Sequence, residues 1–138
     1  MQELRLETAD RLEIAELMAR YGNIIDNRQF SRISEVFDDE AVYDVTDFGM
    51  GVLRGPAAVV DAWTLTTDHP LAHHVTNVEI EVDTDGTIRV CSKIIGVGRN
   101  GRCGSATYRD IVVRSAAGWR IRERVVTLRR PESIPAVT

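Results

Sequence analysis

Three kinds of side chain in this 138-residue chain stand where a plain fold would not put them. Asp26 falls at the C-terminal end of the first helical stretch, where a negative charge opposes the helix dipole at a cost of about 0.3–1 kcal/mol. It also follows Met18 and Gly22 at four-residue steps, on the margin of an apolar stripe. A carboxylate in that position either joins the solvated Asn27 turn or needs a partner. His73 and His74 open a strongly alternating stretch. Neighbouring strand residues point to opposite faces, so only one of the two enters the interior. His74 shares the apolar face of Val78 and Ile80, whereas His73 shares a face with Asn77. An imidazole held by a buried carboxylate has its tautomer fixed and its charged form stabilised, which makes a general base near neutral pH. Arg120, Arg122 and Arg124 alternate along the last such stretch and nominally share one face. One of them turned inward could hold a developing anion or a leaving group. The others read as a solvated or subunit-facing strip.

Other chemistries find no support in the pattern. There is no glycine-rich phosphate loop and no nucleophile elbow. Ser92 and Ser105 have no histidine neighbour in sequence, which argues against acyl hydrolysis. His69, His73 and His74 resemble a metal cluster by count only, since Pro70 and the opposed directions of 73 and 74 separate them. No metal and no cofactor are expected. Cys91 and Cys103 make neither a disulfide framework nor a zinc set. A net charge of −4 and a pI near 5.4 argue against a nucleic-acid partner. The charge is lopsided: residues 1–86 hold 18 acidic and 6 basic side chains, residues 87–138 hold 3 and 11. The two halves are expected to neutralise each other within one fold. No run approaches the roughly 18 apolar residues of a membrane span, and no signal-peptide core is present. A cytoplasmic location with reduced thiols is expected.

The elements that must position these residues follow from periodicity. Leu12, Ala15, Met18, Tyr21 and Ile25 recur at helical spacing, with Thr8 as the N-cap and a stop near Asp26 and Asn27. Phe30, Ile33, Val36 and Phe37 mark a second short helix that Asp38-Asp39-Glu40 ends. Residues 41–45 read as a strand, and Phe48-Gly49-Met50-Gly51 as a loop. Gly55-Pro56 opens a third helix through Trp63. The rest is β: residues 73–82, 87–99, 102–114 and 119–130, with Asn100-Gly101 as a hairpin turn pairing Arg99 with Arg102. That register places Cys103 opposite Gly98 and Cys91 opposite Asp110. Helices grouped before long antiparallel strands mean an α+β domain, residues 1–130, with a loose tail at 131–138. A curved sheet folded over helices encloses a pocket for a small ligand.

In this order the marks resemble a known family. They are Arg20-Tyr21-Gly22-Asn23-Ile24-Ile25-Asp26, Phe37-Asp38-Asp39-Glu40-Ala41-Val42-Tyr43, Leu53-Arg54-Gly55-Pro56, His73-His74-Val75-Thr76-Asn77 and Trp119-Arg120-Ile121-Arg122-Glu123-Arg124. Over residues 8–130 the chain resembles the SnoaL-like branch of the nuclear-transport-factor-two-like superfamily. Within it, the chain looks most like the group that includes scytalone dehydratase, bile-acid 7-alpha-dehydratase and hexachlorocyclohexane dehydrochlorinase. The resemblance implies a cone-shaped α+β barrel, with three N-terminal helices on a strongly curved, mostly antiparallel sheet. It maps the family's acid–imidazole pair onto Asp26 and His73, in conflict with the alternation that favours His74. A bulge near the strand start would reconcile the two. It also implies catalytic roles for Tyr21 and Arg124 and an aromatic pocket wall at Tyr43. This chain lacks the further histidine that scytalone dehydratase carries on a later strand.

The expectation is a cofactor-independent lyase or isomerase acting on a small, mostly apolar cyclic molecule. His73 removes a proton from carbon, and Tyr21 or Arg124 polarises the activating group or assists the leaving group. Met18, Tyr43, Phe48, Trp63, His74 and Asn77 are the expected substrate contacts. The alternative is a non-catalytic ligand-binding or assembly module on the same fold. Association as a homodimer or homotrimer is expected, with no nucleic acid and no membrane as partner.

Overall fold

A computed structural model describes residues 5–138. Helix α1 spans Thr8–Asp26. Its N-cap is Glu7 rather than Thr8, because Asp10 folds back to accept the Glu7 backbone N–H at 3.1 Å. A 3-10 helix, Phe30–Glu35, follows. Strand β1 is Phe37–Asp44, so Asp38-Asp39-Glu40 belong to a strand instead of ending a helix. The cause is tertiary. Phe37 pairs with Ile121 of the last strand, and Asp38 takes the Arg122 guanidinium at 2.7 Å. A short edge strand β2, Val52–Arg54, precedes helix α2, Pro56–Leu65, which begins with proline as expected. Strands β3 (Ala72–Val82), β4 (Ile88–Val97), β5 (Cys103–Ser115) and β6 (Gly118–Leu128) complete a six-stranded sheet. Its order is β2-β1-β6-β5-β4-β3, antiparallel except where β1 runs parallel to β6. The domain is thus mixed α+β.

The β4–β5 hairpin pairs Val97 with Cys103, one residue off the expected register. Arg99 and Arg102 do not pair. The chain closes instead through Gly98 N–H to Arg102 O at 2.8 Å, with Asn100 Oδ1 accepting the Arg102 N–H at 3.1 Å. Cys103 therefore faces Val97 and Cys91 faces Arg109, and both thiols are exposed.

Two irregularities decide which side chains reach the interior. On β3 the pairing with β4 slips between Thr76 and Glu79, and Asn77 takes a left-handed φ of 52°. Before the slip, the odd-numbered His73 and Val75 face α1, where both approach Gly22. After it, the even-numbered Val78, Ile80 and Val82 pack on the core. On β6 the pairing with β5 slips where Ile111 meets Glu123 and Val112 meets Ile121, leaving Arg122 unpaired. Trp119 and Ile121 are buried before the slip, Arg124 and Val126 after it. Each bulge inverts the facing of the residues beyond it.

The acidic first half and basic second half meet through ion pairs. Asp10 binds Arg114 at 2.6 Å, Asp38 binds Arg122, and Asp47 binds Arg130 at 3.3 Å. The start of β3, the ends of β4, β6 and β1, and the start of β5 all lie at one end of the sheet. The turn Thr46–Phe48 and the segment 66–71 that links α2 to β3 lie at that end too. No described helix is long and apolar enough to cross a membrane.

Candidate active site

Helix α1 packs on β3 and delivers Asp26, its last residue, to the start of that strand. Gly22, one turn earlier, makes the approach possible. A Cβ there would lie 3.0 Å from the His73 carbonyl oxygen. Asp26 uses both oxygens on one residue. Oδ2 accepts the His73 backbone N–H at 2.8 Å, and Oδ1 meets His73 Nδ1 at 2.5 Å. The carboxylate accepts, so the network puts a proton on His73 Nδ1, and in the neutral ring Nε2 is the nitrogen that keeps its lone pair. The Asp26 and His73 side chains are 15% and 11% exposed. The His69 ring meets the His73 ring edge to face at 6.1 Å. Burial pulls the His69 pKa below its ordinary value, and the neighbouring His73 adds to the effect.

Deeper in, Tyr21 and Tyr43 join hydroxyls at 2.8 Å among the rings of Phe37, Trp63 and Tyr108. Arg124 is fully buried beside them. Its guanidinium lies over the faces of both Tyr21 and Tyr108, at 4.1 and 4.0 Å, in the corner where those two rings meet edge to face. Its Nε and Nη2 donate to the two oxygens of Asp110, both at 2.7 Å, and Nη2 lies 3.1 Å from Met18 Sδ. Burial opposes the Arg124 charge, and the Asp110 contact outweighs it and holds the guanidinium protonated. Burial also pushes the Tyr43 and Tyr108 hydroxyls well above their ordinary pKa, so both stay neutral donors.

The structure therefore brings Asp26 to His73, Tyr21 and Met18 to Arg124, and Tyr43 and Trp63 to Tyr21. It does not bring His74 or Asn77 to either group; both are exposed, His74 on the face opposite His73. Phe48 is 47% exposed in the turn at the same end of the sheet as His73. Arg120 and Arg122 bind Ser34 O and Asp38 on the outside. A cleft of about 390 Å³ on the sheet's outer face, lined by Glu79, Arg89, Cys91 and Arg109 among others, is separate from the Asp26–His73 pair. Sequence reasoning missed Tyr108 and Asp110. Alternation along Ala106, Tyr108, Asp110 and Val112 carried the signal, since an aspartate in an otherwise uncharged buried row needs a cation.

The SnoaL-like domain family matches residues 6–125. An uncharacterised protein of Mycobacterium tuberculosis H37Rv is 32% identical over 130 residues, covering 88% of this chain and 86% of that one. Among solved structures, an NTF2-like protein with a cystatin-like fold from Novosphingobium aromaticivorans is 27% identical, with a TM-score of 0.72 over 91% of this chain and 85% of that one. A hexachlorocyclohexane dehydrochlorinase (LinA, type 2) shares the fold at 19% identity, with a TM-score of 0.72 over 88% and 86% of the two chains. Family match, identity over most of both chains and shared architecture agree: the chain belongs to the SnoaL-like domain family, on a cystatin-like fold.

Proposed function

We propose that this protein is a cofactor-independent lyase or isomerase whose base is His73. The observation that carries the reading is the Asp26–His73 contact at 2.5 Å, with both carboxylate oxygens committed to one residue and the ring still reachable. Nε2 takes a proton from carbon, and Asp26 stabilises the imidazolium that forms. The electron pair left on carbon moves into a neighbouring bond, either expelling hydroxide or halide or shifting a double bond. A positioned base contributes on the order of 10²–10⁴-fold. Tyr21 and Arg124, a hydroxyl and a cation, polarise the far side of the substrate. Met18, Tyr43, Trp63 and Phe48 favour a small, mostly apolar ring. The fold shared with a dehydrochlorinase supports this class of chemistry. We further propose a cytoplasmic protein with a cone-shaped interior, associating as a homodimer or homotrimer.

A second reading, a non-catalytic ligand-binding or assembly module, is favoured by the near-complete burial of Tyr21 and Trp63, each 1% exposed. Hydrogen–deuterium exchange separates the two. Wild type and His73→Ala are incubated in D2O with cyclic ketones, cyclic β-hydroxyketones and hexachlorocyclohexane, and deuterium uptake, water loss and chloride release are followed by NMR and ion analysis. Wild type is expected to act on at least one class and His73→Ala on none, with the same melting temperature within a few degrees. Equal rates for the two proteins would remove His73 as the base.

A further inference from the structure

Of the three histidines, His73 is the proposed base, His74 stands on the opposite face of β3, and His69 has no part in the chemistry above. His69 lies in the segment between α2 and β3, and that segment is clamped on both sides. On one side Thr66 caps α2, its backbone N–H and Oγ1 both donating to the Ala62 carbonyl, at 3.1 and 2.8 Å. On the other, the Leu71 N–H donates to Val97 O at 2.7 Å, and Pro70 lies against Gly96, where a Cβ would come within 3.2 Å of the proline ring. Residues 67–69 bridge these anchors. The short bridge holds the partly buried His69 ring edge to face with the His73 ring, at 6.1 Å between centroids.

After an elimination His73 carries the substrate's proton and must release it before the next turnover. The groups around it are poor acceptors. Asp26 has both oxygens committed to His73. Deeper in, Arg124 is held protonated, and the Tyr43 and Tyr108 hydroxyls keep their protons. His69 differs: burial, and after it the neighbouring His73, lower its pKa, so its ring is neutral near pH 7 and has a lone pair to offer. The charged groups that face it besides Asp26 and His73 are the exposed Asp68 and Arg28. Asp68 favours the imidazolium form, and Arg28, whose guanidinium lies over the Phe30 ring at 5.1 Å, opposes it. At 6.1 Å between centroids the rings do not hydrogen-bond directly, and one bridging water can span the gap.

We propose that His69 is the proton exit of this site: His73 Nε2 passes its added proton through one bridging water to the His69 ring, which releases it to solvent. N–H and O–H bonds alone break and form, and both rings end neutral. Such an exit suits elimination, whereas an isomerase returns the proton to carbon. The role as an exit rests on the reading of His73 as the base; proton passage between the rings does not, and it can be measured alone.

The test needs no substrate. Wild type and His69→Gln are labelled with 15N at histidine, and NMR follows exchange of the His73 Nε2 proton with water over the pH range in which His73 takes up its second proton. Exchange in His69→Gln is expected to slow on the order of 10²-fold, with the His73 Nδ1 resonance unshifted because the Asp26 contact is kept. Added imidazole, a diffusing substitute for the lost ring, is expected to restore the rate in the variant and to leave wild type unchanged. Equal rates in the two proteins overturn the exit. A slowed rate that imidazole does not restore also overturns it and makes His69 a packing residue. The substrate assay above keeps the two proposals apart. Turnover that depends on His73, with equal exchange rates here, removes the exit alone. Exchange that depends on His69, with no turnover of any probe, removes the lyase reading alone.

Discussion

Two acid–base pairs stand in this domain under opposite conditions. At the sheet end, Asp26 and His73 meet at 2.5 Å with part of each side chain still reachable. In the interior, Asp110 and Arg124 meet at 2.7 Å with none of either side chain exposed. The contacts are nearly alike, and the surroundings assign the work. An imidazole with one nitrogen tied to a carboxylate and the other free can accept and return a proton. A guanidinium packed over two aromatic faces and forked onto a carboxylate cannot give up its proton at any ordinary pH. On the proposed function the first pair is the reagent, and the second fixes shape and electric field.

The sharpest break of this contrast lies in the interior. Asp110→Ala leaves a buried guanidinium without its counter-charge, which costs roughly 3–5 kcal/mol. The expected result in a urea melt is a protein unfolded, or nearly so, at room temperature. The double variant Asp110→Leu with Arg124→Met should recover most of that loss, since a well-packed apolar pair replaces a buried ionic one at little cost. Failure of the double variant to recover would mean that this pair specifies the fold beyond its own energy.

The corresponding change at the sheet end is Asp26→Asn. It keeps an oxygen for the His73 backbone N–H and removes the charge that supports imidazolium. Deuterium uptake by whichever substrate class responds in that assay should fall by about 10²-fold or more, while the melting temperature moves little. A large loss of stability with unchanged exchange would make Asp26 a cap for the strand and nothing more.

The smallest effect is one of pH. His69 has a lowered pKa in the folded protein, so it binds its proton less readily there than in the unfolded chain. The native state then carries fewer protons, and stability falls as pH drops below about 6.5, the unperturbed value. Asp10 and Asp47 act in the same direction at lower pH. A backbone N–H, from Glu7 and from Leu128 respectively, is the main influence holding each below the usual carboxylate range. Their contribution is present near neutrality and is lost in strong acid. Melting wild type and His69→Gln from pH 7.5 to 5 should show a shallower decline in the variant. Parallel curves would show that His69 is not the group responsible.

Much of this was readable in the chain itself. The helical stretch ending at Asp26, proline at the start of α2 and the long strands follow from spacing, and the family motif pointed to His73, the imidazole that meets Asp26. Strict alternation selected His74, because alternation assumes an unbroken strand. Asn77, in a left-handed conformation, breaks β3 and moves His73 onto the α1 side while Val78 and Ile80 keep the core. The three arginines of β6 posed the same puzzle with the same answer at Arg122. Nothing local announces a bulge, since it is fixed by the partner strand. The Asp110–Arg124 fork was hidden for a related reason: its halves stand on different strands and meet only through register. The acidic run at 38–40 misled because β6 supplies Arg122 and a pairing edge from more than eighty residues away.

Gly22 carries one more consequence. Helix and strand touch there through a bare hydrogen, and a single turn later the same helix ends at Asp26. The gap between acid and imidazole is thus metered by the smallest side chain available, at a residue that never meets the ligand. A methyl group added at that contact would act as a wedge, tilting the helix away and lengthening a proton's path without altering any reacting atom.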